Sequence, residues 1–185
     1  QSGSIKLLYS SPVKNTSIIF GKFLSMMVYG FALIAVLGVF VLFSAITIVN
    51  FDYSLVLSGM LGLYLLILAY SAIGLFMSSI TKYQVVAAIG TLAVLAVLNF
   101  IGDVGQEYDL VRNITYWLSI TGRAYPFIDG LIASDNVFYF LIVIGFFLAL
   151  SILKLNTEKS IMPLKTKVLK YSGIVLVTLV LGYVS

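Results

Sequence analysis

Cysteine and histidine are both missing from this chain, and each absence removes a block of chemistry. Without cysteine there are no disulfides, thiolate nucleophiles, sulfur-rich metal sites or redox motifs. Without histidine there is no His-dependent zinc protease, no haem ligation by His and no His-dependent acyl transfer. Charge is scarce as well: 10% of the residues are charged against 61% hydrophobic, and the mean hydropathy is +1.12. A soluble domain carries about 25% charged residues, so the chain is read as an integral membrane protein. No Gly-rich phosphate loop followed by Lys and Ser or Thr is present, which excludes ATP binding by that route. The chain starts at Gln1 with no basic n-region and cleavage site, so no signal peptide is expected and the chain reads as a piece of a longer one. The net charge of +4 would suit an acidic partner, but the lysines border apolar runs and are assigned to topology, with no nucleic acid expected.

What is present is a series of long uncharged runs. A helix needs about 20 residues to cross the hydrocarbon layer, and spans are expected at about 23–49, 54–80, 83–102 and 136–153. A last apolar run, 171–185, reads as the start of one more. Residues 1–16 hold a short helix and a corner. Ile5 and Leu8 lie one turn apart while Lys6 and Tyr9 point elsewhere; Pro12 ends that helix, and Ser11 is placed to cap the next. The expected fold is all-α, a polytopic helical bundle whose body is residues 17–156, followed by a basic linker at 157–170.

Residues 103–135 differ in kind. Asp103, Glu107, Asp109, Arg112, Arg123, Asp129 and Asp135 are interleaved with Trp117, Leu118, Phe127 and Leu131. The segment reads as one or two amphipathic or re-entrant helices, broken at Gly122 and Pro126. Tyr116 and Trp117 suit the headgroup level.

Lysines give the orientation. Lys6, Lys14 and Lys22 precede the first span, Lys82 separates the second from the third, and Lys154, Lys159, Lys165, Lys167 and Lys170 follow the fourth. If the spans alternate, all fall on one side, while Asp52 and the acidic 103–135 segment fall on the other. The lysine side is then the cytoplasm.

No acid or base sits mid-span, so proton- or sodium-driven transport is not expected. Ser44, Thr47, Ser58, Tyr64, Tyr70, Ser71, Thr91 and Asn99 lie within spans and are assigned to hydrogen bonds across helices or to backbone carbonyls. Gly59, Gly62, Ala69, Ala72 and Gly74 are assigned to close helix approach. If the protein is powered, a partner supplies the power.

Several stretches carry a family resemblance. Gly3-Ser4-Ile5-Lys6-Leu7-Leu8 with Ser10-Ser11-Pro12-Val13, then Ile19-Phe20-Gly21-Lys22-Phe23, resembles the passage from coupling helix to third membrane helix in ABC type 2 permeases. Gly74-Leu75-Phe76-Met77-Ser78-Ser79-Ile80-Thr81 with Gln84-Val85-Val86-Ala87-Ala88 resembles that family's turn between its fourth and fifth helices. Gly130-Leu131-Ile132 with Val137-Phe138-Tyr139-Phe140 resembles the approach to its sixth. The pattern is most similar to permeases of gliding-motility and copper-processing systems. It departs from them at Arg123-Ala124, where many carry His-Phe, and at Asn136, where many carry Asp.

The resemblance implies the last four of six permease helices, a junction to a fused gliding-motility-associated domain, and a place in the bacterial inner membrane. It implies a non-catalytic permease subunit of an ATP-binding cassette exporter, paired with a second permease subunit and with a cytoplasmic ATPase that holds ATP and Mg²⁺. This chain itself holds no cofactor and no metal. Gly3, Ile5, Leu7, Leu8, Ser11 and Pro12 would take the ATPase stroke, and Trp117, Arg123, Phe127 and Gly130 would form an outer gate. The rivals are a non-transporting scaffold of an envelope or motility complex, and a membrane-embedded enzyme using Asp103, Glu107, Asp109 and Arg112.

Overall fold

The structure, a computed structural model, describes residues 15–48, 51–101, 115, 119–159 and 171–178. The coupling residues Gly3 to Pro12, the acids Asp103, Glu107 and Asp109, Arg112, Trp117 and most of the basic linker lie outside the described residues. The described part is helical, with no strand among the described residues. Five helices follow in order: α1 Asn15–Thr47, α2 Tyr53–Ile80, α3 Gln84–Phe100, α4 Ile120–Ile128 and α5 Ser134–Lys159. Residues 171–178 form a further helical turn pair.

Helix is the outcome that apolar surroundings demand, because a backbone without water must satisfy its own N–H and C=O groups. The hydroxyls in the runs conform to this. Ser25, Ser44, Thr47 and Thr91 each donate to the carbonyl four residues back, on Gly21, Phe40, Phe43 and Ala87, at 2.7 to 3.0 Å. Corners fall where side chains replace missing backbone partners. The Asp52 carboxylate accepts from the N–H groups of Ser54 and Leu55 at 3.1 and 3.2 Å and starts α2. The Tyr83 N–H donates to Thr81 Oγ1 at 3.1 Å in the turn between α2 and α3.

Helix α2 is the centre of the bundle and packs on each of the other four. Its buried side is small where neighbours come close: Gly62 is buried, and Ala69 and Ala72 have no exposed surface. Tyr64 donates to the Met27 carbonyl and Gly38 lies near Met60, so α1 runs antiparallel to α2. Tyr70 meets Asn99 and Gly74 meets Thr91, so α3 is antiparallel too. Phe140 packs near the Gly62 level through Phe127, while the Phe147 ring meets that of Phe76 at 5.7 Å in a tilted pair; α5 therefore runs parallel to α2. These directions gather Lys22, Lys82 and Lys154 at one end and Asp52, Asp129 and Asp135 at the other.

Helices α1, α2 and α5 are long and apolar enough to cross a membrane. Helix α3 has 17 residues, a rise of about 25 Å against a hydrocarbon layer of about 30 Å. Gly122 and Pro126 do not break the segment they sit in; both lie inside α4. Gly122 is in the first turn, where its N–H donates to the Ser119 hydroxyl at 3.2 Å. Pro126 is in the last turn, where its missing N–H forfeits a single ladder bond.

Candidate functional site

Helix α4 is nine residues long; it is tied to α2 and α3 near its two ends and to α5 from its middle. At the start, Thr121 Oγ1 donates to Asn99 Oδ1 at 2.8 Å, and the Tyr70 hydroxyl lies 3.3 Å from the same oxygen. Asn99 Nδ2 donates to its own Leu95 carbonyl at 2.8 Å. One amide therefore ties α2, α3 and α4 together. At the far end, the Ser58 hydroxyl lies 2.8 Å from the Phe127 carbonyl and 2.9 Å from the Leu55 carbonyl. Its single proton serves one or the other, or is shared. Tyr70 is twelve residues beyond Ser58 on α2, about 18 Å along the axis, so α4 lies lengthwise and antiparallel on α2 and finishes at the acidic end.

Phe127 fixes the far end. It is 1% exposed and fills the notch left by Gly62, where a Cβ would stand 2.5 Å from the Phe127 Cβ and 2.8 Å from its Cγ. Its other face meets Phe140 at 6.2 Å between ring centroids. The chain then turns through Gly130, whose φ of +84° is open to glycine and strained for other residues. A Cβ there would meet Leu55 Cα at 3.4 Å, an ordinary contact, so it is the backbone angle that calls for glycine.

Arg123 occupies the middle of α4. Its Nη1 donates to Asn136 Oδ1 at 3.2 Å and stands 3.5 Å from Asp135 Oδ2. The guanidinium lies over the Tyr139 ring, 5.6 Å from its centroid, within cation–π range. The Arg123 side chain is 15% exposed and that of Asp135 51%. The buried Nε meets no hydrogen-bond partner among the described residues.

Of the gate residues expected from the sequence, Arg123, Phe127 and Gly130 therefore lie on one short helix and its exit turn, and Trp117 lies outside the described residues. The two points at which the chain departs from the pattern it resembles, Arg123 and Asn136, are hydrogen-bond partners. Sequence reasoning missed Asp135 and Tyr139. The signal was there: Asp135, Asn136, Tyr139 and Phe140 follow the three- and four-residue spacing that puts them on one side of a helix. Among the described residues no His, Cys, Asp and Glu group could hold a metal ion.

Three of the described helices are long and apolar enough to cross a membrane, and their charges are sorted to the two ends of the bundle. The family profile of the ABC-2 family transporter proteins matches residues 1–185, and the chain belongs to that family. It is a multi-pass membrane protein, a permease component of an ATP-binding cassette transporter. No curated protein and no solved structure matches it.

Proposed function

We propose that this chain is the permease subunit of an exporter in which α4 closes the outer exit and a separate cytoplasmic ATPase drives its opening. The observation that carries the reading is the two-ended seat of α4: Thr121 on Asn99 at one end, Phe127 in the Gly62 notch at the other. A nine-residue helix has less packed surface to release than a full span, and so moves at lower cost. In this reading 103–135 is a re-entrant outer segment, and Trp117, Arg123, Phe127 and Gly130 are the gate.

The lysine end faces the cytoplasm of a bacterial inner membrane, by the positive-inside rule. There Gly3, Ile5, Leu7, Leu8, Ser11 and Pro12 dock on the ATPase and pass its stroke to α1, which joins the coupling segment to α2. A second permease subunit completes the path. The gliding-motility or copper-processing subtype, with a fused domain beyond the basic linker, is the finer assignment that the sequence pattern favours.

Purification of the full-length protein in mild detergent tests the coupling. A cytoplasmic ATPase should accompany the native protein and be lost from Leu7→Asp and Leu8→Asp. Absence of any ATPase from the native complex would instead favour a scaffold.

A further inference from the structure

We propose that Arg123 is the residue that reads charge at this gate, and that it binds the anionic group, a phosphate or carboxylate, of what passes or docks there. The inference rests on the reading of α4 as the outer gate. Topology sorts the other basic side chains described, Lys22, Lys82 and Lys154, to the opposite end of the bundle. Arg123 is thus a cation kept among Asp52, Asp129 and Asp135, and buried to all but 15% of its surface.

Its partners do not use it up. A guanidinium has five N–H donors in a planar fork that matches phosphate or carboxylate through two parallel bonds. Both polar contacts here leave from Nη1, and one of them ends on Asn136, which is neutral. Nε is buried with no acceptor among the described residues. Most buried side-chain donors are paired, so an unpaired Nε leaves room for an acceptor from outside the described residues. Asp135 is a long 3.5 Å contact from a half-exposed carboxylate, which makes it a counter-ion that an incoming anion can displace. Of the acids at this end only Asp135 pairs with Arg123 among the described residues, and the Asp52 carboxylate is engaged in capping α2. The guanidinium carbon lies over the Tyr139 ring at 5.6 Å from its centroid, which adds a cation–π contact to its position.

The test uses the full-length protein in phosphatidylcholine nanodiscs. One arm titrates glycerol phosphate from solution by calorimetry. The other replaces part of the lipid with phosphatidylglycerol and measures its retention by native mass spectrometry. Saturable binding in either arm is expected, and the arm that responds identifies the source as aqueous or lipidic. Arg123→Gln should weaken it by about tenfold or more, and Arg123→Lys by less, since lysine keeps the charge and loses the fork. Asp135→Asn should tighten binding about threefold by removing the competing carboxylate. That gain cannot arise from misfolding, so it stands even if Arg123→Gln unfolds. No saturable binding in either arm, binding unchanged in Arg123→Gln, or loss of binding in Asp135→Asn would each overturn the proposal. The titration needs no ATPase, so it fails or succeeds independently of the coupling test.

Discussion

Gly62 is the residue on which the seat of α4 depends most directly. A methyl group there would overlap Phe127, and overpacking of this sort costs about 1–3 kcal/mol. Gly59, one turn earlier, has room: its added Cβ would meet the Phe127 carbonyl oxygen at 3.9 Å. Gly62→Ala should therefore lower thermal stability in detergent while Gly59→Ala stays within about 0.5 kcal/mol of the native protein. Equal effects would mean that the notch is not what seats Phe127. Ser58→Ala removes the one hydroxyl proton that the Phe127 and Leu55 carbonyls compete for, and even a full interhelical hydrogen bond in membrane proteins is worth about 0.6 kcal/mol on average. Its effect should be smaller than that of Gly62→Ala.

Among the elements, α4 was the hardest to read ahead of the structure. Long uncharged runs declare helices α1, α2 and α5 unaided, because a lipid-facing helix needs no amphipathic pattern and shows little. The nine residues Ile120 to Ile128 contain a glycine, a proline and three β-branched residues, which by local propensity argue against a helix. Tertiary contacts decide otherwise: the Ser119 cap, the Asn99 tie and the Phe127 notch are supplied by residues near and far in sequence. Small residues on α2 and the Asp135-to-Phe140 spacing hinted at a seat, yet neither names its occupant. Asn99→Leu should detach the start of α4, raising amide hydrogen exchange over residues 120–123 more than over α2. Uniform exchange across both helices would place the tie elsewhere.

Charge sorting operates on the molecule as a whole. Helix directions read from pairwise contacts put Lys22, Lys82 and Lys154 at one end, and this agrees with the alternation expected from loop composition. The sequence contains no cysteine, so single cysteines at positions 82 and 129 are clean reporters in spheroplasts. A membrane-impermeant maleimide should label position 129 and spare position 82. The reverse pattern would invert the assigned orientation. The proposed anion site was the least legible feature, because its residues, Arg123 with Asp135, Asn136 and Tyr139, come from two helices and no single stretch carries them.

The central claim is that α4 moves when the transporter turns over. Tyr53 and Ile128 stand at the same end of the bundle, on α2 and α4, and each is 61% exposed, so both accept spin labels. Their separation should be measured by pulsed electron resonance in the complete complex with its ATPase, before and during ATP hydrolysis. The account predicts one short distance at rest and a second, longer population during turnover, which Gly62→Ala increases. A single distance that ATP does not alter would contradict it.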